Sequence, residues 1–580
     1  MKENFFVLLL IISWWSKKIT SLPPESLVFD RHSFPDNFVF GTAGSAFQYE
    51  GATSEGGKSP AIWDHFSHTY PERTSMQNAD VAVDFYHRYK DDIKLMKDLN
   101  MDAFRFSISW ARLIPTGKVK DGVNKEGLQF YKALIDELLA NGIKPSMTLY
   151  HWDHPQALED EYGGFLSPQI VEDFRDFTRV CFEEFGDKVK MWTTINEPYV
   201  ITASGYDSGN KAPGRCSKWV NSKCQAGDSA IEPYIVSHHL LLAHAAAVQE
   251  LRKCNKTSHD SMIGIVLSLA WFEPHDSTSL ADKEALKRSF TIELDWFLDP
   301  VIHGDYPETM KKQFGNRLPS FTAEQSKLLK NSSDFIGINF YTSRYVAHVP
   351  HINPERPRFK TDQQVEWRIT NLTNHNLGPG EGRGFLQSHP EGLRKLLNHI
   401  KDKYNNPIVY IKENGINDYE DGTISREEIV HDTFRIRYHA DHLQQLHKAI
   451  IEDGCDVRGY YMWSLLDNFE WEFGYSTRFG LYYVDFDNNL ERYPKDSVNW
   501  FKQFLNRPVV ENEELSVVSS EGGDNKTMVD SEDFEASVGL IVYLMMNTTR
   551  REETESDQCV LEFPYNRFDY MLSSHNSFGL

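Results

Sequence analysis

Apolar runs of seven to ten residues recur along the chain and alternate with segments whose apolar positions follow a helical spacing. The runs are rich in the β-branched and aromatic residues typical of strands. They cover residues 37–43, 103–110, 144–152, 190–197, 262–271, 335–342, 407–415 and 457–466. Segments 84–100 and 124–142 are predicted helices, and the second ends at Asn141-Gly142, a typical helix stop.

The runs are almost continuously apolar, which is typical of parallel strands that are buried on both faces. Eight such strands alternating with helices predict an α/β fold, a single (β/α)8 TIM barrel with elaborated loops after its strands. The competing doubly wound sheet usually has fewer strands and a glycine-rich phosphate loop after the first one. The segment GTAGSAFQ at 41–48 lacks the lysine and the spacing of such a loop.

Polar and aromatic residues stand repeatedly at or near the ends of these predicted strands. They are Gln48, Arg105, His151, Asn196, Glu197, Tyr341, Glu413 and Trp463. The active sites of (β/α)8 barrels lie at the C-terminal ends of the strands. The pattern therefore predicts one pocket into which these side chains converge.

Glu197 and Glu413 are the two carboxylates with the clearest chemical meaning. A carboxylate that ends a buried strand is costly, so both could simply pair with a cation such as Arg105. Two opposed carboxylates, however, are the equipment needed to break an acetal, one as proton donor and one as nucleophile or base. A separation of about 5–5.5 Å indicates retention and about 6.5–9.5 Å indicates inversion, and the sequence alone leaves this open.

The segments around these carboxylates resemble the two signatures of family 1 glycoside hydrolases, the β-glucosidase family. These are TINEP at 194–198 and IKENG at 411–415. Further likeness lies in FPDNFVFGTAGSAFQYEGA from residue 34, HWDHPQAL from 151 and WSLLDNFEWEFGYSTRFGLYYVDF from 463. The resemblance covers about residues 33–505. It implies a retaining enzyme that needs no metal and no organic cofactor.

The resemblance also implies roles for individual residues. Glu197 would be the proton donor and general acid/base, and Glu413 the nucleophile. Arg105 would keep Glu413 ionised, whereas an apolar environment would raise the pKa of Glu197. Supporting and sugar-binding roles would fall to Gln48, His151, Asn196, Asn339, Tyr341, Trp463, Glu470, Trp471 and Phe479. Because relatives that cleave thioglucosides typically carry Gln at position 197, Glu197 favours O-glucosides.

Three residues depart from the family pattern. Most relatives have Thr where Lys412 stands, and neighbouring strand residues point to opposite sides. We therefore expect Lys412 to face the helix layer if Glu413 faces the barrel interior. Phe385 and His389 stand where relatives commonly have Trp and Tyr, which weakens any inference about the aglycone.

Composition and charge exclude several kinds of partner. The chain has 40% hydrophobic and 25% charged residues and a net charge of −23, so nothing in it attracts nucleic acid or an anionic membrane. Residues 508–580 alone carry 4 basic and 15 acidic side chains. We expect this segment to be an acidic, disordered tail. Its apolar run at 536–546 is too short to span a bilayer.

The N-terminus has the features of a signal peptide over residues 1–21: Lys2, then the apolar run 5–15, then the small residues Thr20 and Ser21. The catalytic domain would then cover residues 22–507. The chain ends in Ser-Phe-Gly-Leu, without a KDEL-type signal, so an extracellular or vacuolar location is expected.

An oxidising compartment allows disulfides and glycans. The plant-like loop APGRCSKWVNSKCQAG predicts a bridge between Cys216 and Cys224, and the alternative is two free thiols. Glycosylation motifs stand at Asn255, Asn331, Asn371, Asn525 and Asn547.

The sequence thus predicts a retaining β-glucosidase that acts on terminal β-D-glucosyl residues of small O-glucosides. A transglucosidase would use the same residues, and a catalytically silent sugar-binding relative is the alternative from another class. The natural aglycone and the oligomeric state stay open.

Overall fold

The computed structural model describes residues 29–350, 355–379, 384–420 and 422–506. Eight parallel strands in it form a closed barrel, as the sequence predicts. They are β1 (Val39–Ala43), β2 (Ala103–Ser107), β3 (Lys144–Tyr150), β4 (Met191–Asn196), β5 (Met262–Pro274), β6 (Phe335–His348), β7 (Val409–Asn414) and β8 (Val457–Met462). Each strand pairs with the next along the chain, and β8 pairs with β1 to close the ring.

Helices surround the barrel. The helices of nine or more described residues are α1 (Phe85–Asp98), α2 (Lys125–Ala140), α3 (Gln169–Phe185), α4 (Glu232–Lys253), α5 (Leu280–Phe290), α6 (Pro390–Tyr404), α7 (Thr433–Ile451) and α8 (Asp496–Phe504). Shorter helices cover Ala46–Tyr49, Ile62–Thr69, Trp110–Leu113, Gln156–Tyr162, Pro198–Val200, Trp296–His303, Glu308–Phe314, Ala323–Leu329, Phe359–Asp362 and Arg426–Ile429. Strand Val365–Arg368 pairs with β6 in an antiparallel manner.

Both faces of the strands are apolar because each face is buried against a different layer. Outward-facing Trp192 on β4 packs against Phe182 of α3, with ring centroids 4.9 Å apart. The inward face at the N-terminal end of the barrel is filled by a separate aromatic cluster of Phe335, Tyr410 and Tyr461. Burial on both sides is the reason why these strands lack an alternation of apolar and polar residues.

The ends of several predicted elements differ from those in the structure. The second apolar run continues to residue 110, yet β2 ends at Ser107 because Ser109 caps the short helix Trp110–Leu113 by accepting from the backbone N–H of Arg112 at 3.2 Å. The predicted helix stop is confirmed, since α2 ends at Ala140, Asn141 is its C-cap and Gly142 has φ +76°.

The predicted bridge between Cys216 and Cys224 is confirmed, with Cα atoms 5.6 Å apart. Asn255 and Asn331 are exposed and Asn371 is half-buried, and their glycosylation stays a prediction. Within the described residues, none of the helices combines the length and the apolar character needed to cross a bilayer. The expected signal peptide, the acidic tail, Asn525 and Asn547 lie outside the described residues.

Replacing both bridged cysteines by serine should lower the stability of the fold. The bridge closes a loop between residues eight positions apart, and a crosslink of this length contributes about 2–3 kcal/mol. In a domain of this size, the melting temperature should fall by about 2–3 °C, measured by differential scanning calorimetry. Cys254→Ala, which removes a half-buried free thiol, is the control. An unchanged melting temperature in the double variant would contradict the stabilising role.

Candidate active site

Polar and aromatic side chains from four barrel strands, and from the segments that follow β1, β3, β4 and β8, meet at the C-terminal end of the barrel. They are Gln48, Arg105, His151, Asn196, Glu197, Asn339, Tyr341, Glu413, Trp463 and Glu470, and direct contacts or charge interactions join them. Nearly all of these side chains are buried. The convergence predicted from the strand ends is thus present in the structure.

The fourth strand changes register just before Glu197. Thr193 pairs with Gly264 and Asn196 with Val266, so three steps on β4 oppose two steps on β5. Such a β-bulge adds one residue and changes the direction of the side chains that follow it. Glu197 then takes a left-handed backbone conformation with φ +47°, and its N–H still donates to the Val266 carbonyl at 2.8 Å. The bulge and this conformation turn Asn196 and Glu197 toward the same pocket.

The seventh strand also changes register, at Lys412 and Glu413. Ile411 pairs with Ile338 and Glu413 with Asn339, so two steps on β7 oppose one step on β6. The prediction that Lys412 faces the helix layer is therefore wrong. The bulge directs Lys412 and Glu413 into the barrel interior together, which regular alternation does not allow.

Glu413 is held by two donors. The Arg105 guanidinium forms an ion pair with Oε1, and the Tyr341 hydroxyl donates to Oε2 at 2.6 Å. The Arg105 side chain is fully buried, and its other terminal nitrogen donates to Asn196 Oδ1 at 2.6 Å. One planar guanidinium thus sets the positions of two strand-end residues.

Glu197 lies in a different environment. Its Oε1 accepts from Asn339 Nδ2 at 2.6 Å, and Asn339 also donates to Asn196 Oδ1 at 3.1 Å. Burial, together with the charge of Glu413, raises the pKa of Glu197 to about 8, although the bond from Asn339 and the charge of Arg105 oppose the rise. The environment of Glu197 thus favours its acid form near neutral pH, whereas Glu413 is paired with the Arg105 guanidinium.

His151 contacts Asn196, which is hydrogen-bonded to the partners of both carboxyl groups, Arg105 and Asn339. Asn196 Nδ2 lies 3.2 Å from His151 Nε2, and burial, with a smaller effect of Arg105, lowers the pKa of His151 well below its usual range. A neutral ring accepts from Asn196 through Nε2 and leaves its Nδ1 as a donor. Nδ1 is buried and has no partner among the described residues.

Aromatic rings and a further carboxyl group line the rest of the pocket. The His151 ring lies 6.2 Å from Trp463 and 6.0 Å from Trp471, in stacked orientations. Phe479 packs with Trp463 and lies 5.8 Å from the ring of Tyr341.

Glu470 lines the pocket next to Gln48. Gln48 Nε2 lies 3.4 Å from Glu470 Oε2. Burial raises the pKa of Glu470 to about 8, with Lys211 opposing the rise.

Two residues at the pocket were missed by the sequence analysis. Lys211 forms an ion pair with Glu472 and lies over the rings of Trp152 and Trp471, at 5.6 and 6.0 Å. Trp152 donates from Nε1 to the Asn196 carbonyl at 2.8 Å. Trp152 stands in the quoted motif at 151–158, so a signal existed, whereas nothing in the sequence pattern shows that the loop carrying Lys211 folds over the pocket.

The two remaining departures from the family pattern are Phe385 and His389. Phe385 is 38% exposed and stacks on Phe473 with ring centroids 5.3 Å apart. His389 is buried, and its Nδ1 lies 2.8 Å from Ser343 Oγ. In the described ranges, no three His, Cys, Asp or Glu side chains are grouped as ligands of a metal ion.

The comparison with family models gives one match over most of the chain. The model of glycosyl hydrolase family 1 matches residues 30–509. The chain belongs to glycosyl hydrolase family 1. The described barrel and the pocket at its C-terminal end lie within the matched residues.

Relatives and solved structures in family 1 share the full domain. Beta-glucosidase 28 of Arabidopsis thaliana is 78% identical over 580 residues, which is all of this chain and 99% of the relative. Beta-glucosidase 26, peroxisomal, of the same plant is 51% identical over 83% of this chain and 86% of the relative.

Two solved structures are similar as well. A rice β-glucosidase mutant in a covalent complex with glucose is 49% identical, with a TM-score of 0.80 over 83% of this chain and 100% of that chain. A β-glucosidase from the fungus Humicola insolens in complex with glucose is 41% identical, with a TM-score of 0.78 over 81% of this chain and 98% of that chain.

Replacing Arg105 by Met should destabilise this family 1 barrel strongly. The change leaves the Glu413 carboxylate buried without its cation, and breaking a buried pair costs about 3–5 kcal/mol. The melting temperature should fall by about 3–5 °C, and Arg105→Lys should recover part of the loss because it restores the charge. The control is Arg458→Met, which breaks an exposed pair with Asp456 and should change stability little. Equal effects of Arg105→Met and Arg458→Met would disprove this account.

Proposed function

We propose that this family 1 protein is a retaining β-glucosidase that hydrolyses terminal β-D-glucosyl residues of small O-glucosides. The observation that carries the proposal is the pair of buried carboxyl groups in opposite environments. Glu197 has its pKa raised to about 8, and Glu413 is paired with Arg105. A continuous chain of hydrogen bonds connects the two carboxyl groups through Arg105, Asn196 and Asn339.

Two displacements account for the reaction. In the first, Glu413 attacks the anomeric carbon while protonated Glu197 gives its proton to the glycosidic oxygen, and the aglycone leaves as an alcohol. The glucosyl unit is then bound to Glu413 as an ester. In the second, Glu197 takes a proton from water, the hydroxide attacks the same carbon, and Glu413 is released as a carboxylate. The configuration at the anomeric carbon is retained because it is inverted twice.

The glucosyl ring would be bound by the polar groups and rings around the carboxylates. Its hydroxyl groups would find donors and acceptors on Gln48, His151, Asn196 and Glu470. The Nδ1–H of His151, which has no partner among the described residues, would donate to a hydroxyl oxygen of the sugar. Trp463 offers a flat face for stacking, with Trp471 and Phe479 beside it. The names of the plant and fungal relatives, all β-glucosidases, support glucose as the glycone.

The organisation of the chain is part of the proposal. A signal peptide at residues 1–21 would deliver the chain to the secretory pathway, and residues 22–507 would form the catalytic domain before the acidic segment 508–580. The family match over residues 30–509 and the bridged cysteines, which suit an oxidising compartment, support this division.

Trapping of the intermediate tests the function directly. Incubation with a 2-fluoroglucoside that has a good leaving group should add one fluoroglucosyl unit to the protein, and peptide mass spectrometry should place it on Glu413. Glu413→Ala should take up no label and lose hydrolysis of all glucosides. Glu197→Ala should keep activity on substrates with acidic leaving groups, and azide should rescue it, because only the proton donor is missing.

Three outcomes would disprove parts of this assignment. No label on the wild-type protein would indicate a catalytically silent sugar binder. Equal losses by Glu197→Ala on activated and unactivated glucosides would contradict its role as acid. Formation of alkyl glucoside in place of glucose, when a low concentration of alcohol is added, would identify a transglucosidase.

The pH dependence should report the protonation of Glu197. Since the acid form is required and its pKa is raised to about 8, kcat/KM for an alkyl glucoside should be lost as the pH rises through about 8. Asn339 favours the carboxylate form, so Asn339→Ala should move this alkaline limb to higher pH. A glucoside with a highly acidic leaving group is the control, because its cleavage does not need the proton. The same limb for both substrates would contradict the assignment.

A further inference from the structure

Lys412, the residue before Glu413, lies fully buried inside the barrel. Its Nζ donates to Ser146 Oγ at 3.0 Å. Three rings surround the amine, and their centroids lie 4.6 Å (Tyr461), 5.1 Å (Phe335) and 5.2 Å (Tyr410) away. Among the described residues, no carboxylate forms an ion pair with it.

The bond from Lys412 to Ser146 crosses the whole interior. Lys412 is on β7 and Ser146 on β3, and three strands separate them in either direction around the ring. The side chain therefore ties the strand that carries Glu413 to the opposite wall of the barrel.

This connection acts at the bulge that aims Glu413. Tyr410 belongs to the aromatic cluster inside the barrel, so regular alternation would turn residue 412 inward and residue 413 outward. The bulge turns both inward, and Asn414 already faces the helix layer, where it donates to the Tyr438 hydroxyl of α7 at 3.0 Å. Contacts thus fix three consecutive side chains: Lys412 toward β3, Glu413 toward Arg105 in the pocket, and Asn414 toward the helix layer.

Burying the amine of a lysine at this position costs free energy. Burial, with a smaller effect of the Arg105 charge, lowers the pKa of Lys412 well below its usual range. An apolar side chain of the same length would fill the space among the rings without the cost of burying an amine. Such an apolar side chain could not form the hydrogen bond to Ser146.

We propose that Lys412 is a positioning residue for Glu413, and that its bond across the barrel to Ser146 holds the β7 bulge in the conformation that presents the carboxylate to the anomeric carbon. This inference rests on the proposed function, in which Glu413 is the nucleophile. Lys412 does not touch the reacting atoms. Its effect is to restrict the angle and distance from which Glu413 attacks, to which rates are sensitive.

The test compares Lys412→Met, Ser146→Ala and the double variant with the wild-type protein. Time courses with a 2-fluoroglucoside give the maximal rate of inactivation and, separately, the affinity for the inactivator. Each single variant should lower the maximal rate about tenfold while the affinity stays unchanged, since none of the sugar-binding groups named above hydrogen-bonds to Lys412 or Ser146. The double variant should be no slower than the slower single one, because both changes remove the same bond.

Thr193→Val is the matched control. Thr193 lies on β4 next to β3, its hydroxyl is buried and has no partner among the described residues, and it takes no part in the bond to Lys412. It should label as fast as the wild-type protein. If Lys412→Met does not fold, Ser146→Ala alone decides, because it removes the acceptor and leaves the lysine in place.

The failures of the two proposals are distinguishable. A wild-type protein that is not labelled on Glu413 would overturn the proposed function. Labelled wild-type protein with single variants within twofold of its rate would overturn the role of Lys412. Multiplied effects in the double variant, or a loss of affinity in place of rate, would also overturn it.

Discussion

The buried ion pair between Arg105 and Glu413 is the interaction on which the geometry of the site depends. A carboxylate inside a barrel is tolerated only when a cation and hydrogen bonds compensate for its lost hydration. Arg105 supplies the charge through one nitrogen and binds Asn196 through another. Because Asn339 donates to both Asn196 and Glu197, the position of the second carboxyl group follows from the first.

The two β-bulges, in β4 and β7, allow neighbouring side chains to face the interior of the barrel together. Side chains alternate along a strand, so two neighbouring residues cannot both face the interior of a regular barrel. The register shifts in β4 and β7 remove this restriction where the carboxylates stand. The bulge in β7 turns Glu413 inward beside Lys412, so that two neighbouring side chains share the barrel interior.

The sequence predicts the barrel strands and the two carboxylates of the site, but not the positions of Lys412 and Lys211. Strands buried on both faces leave long apolar runs, so the eight barrel strands were visible, and Glu197 and Glu413 stood out because charge is rare at the end of such runs. The shared inward orientation of Lys412 and Glu413 was not predictable, because a bulge depends on the pairing of neighbouring strands and not on local composition. Lys211 was missed for a similar reason, since tertiary contacts such as its pair with Glu472 place its loop over the pocket.

The aromatic cluster of Phe335, Tyr410 and Tyr461 closes the barrel at the end opposite the pocket, and these three side chains are 1%, 6% and 2% exposed. Within the described residues, this packing blocks the way through the barrel, and the pocket lies at the C-terminal end. In the proposed reaction, the departing alcohol and the incoming water would share the opening at this end, so the alcohol would have to leave before water could approach the sugar. The time for which the aglycone stays above the sugar ring would then decide which acceptor reaches the glucosyl ester first.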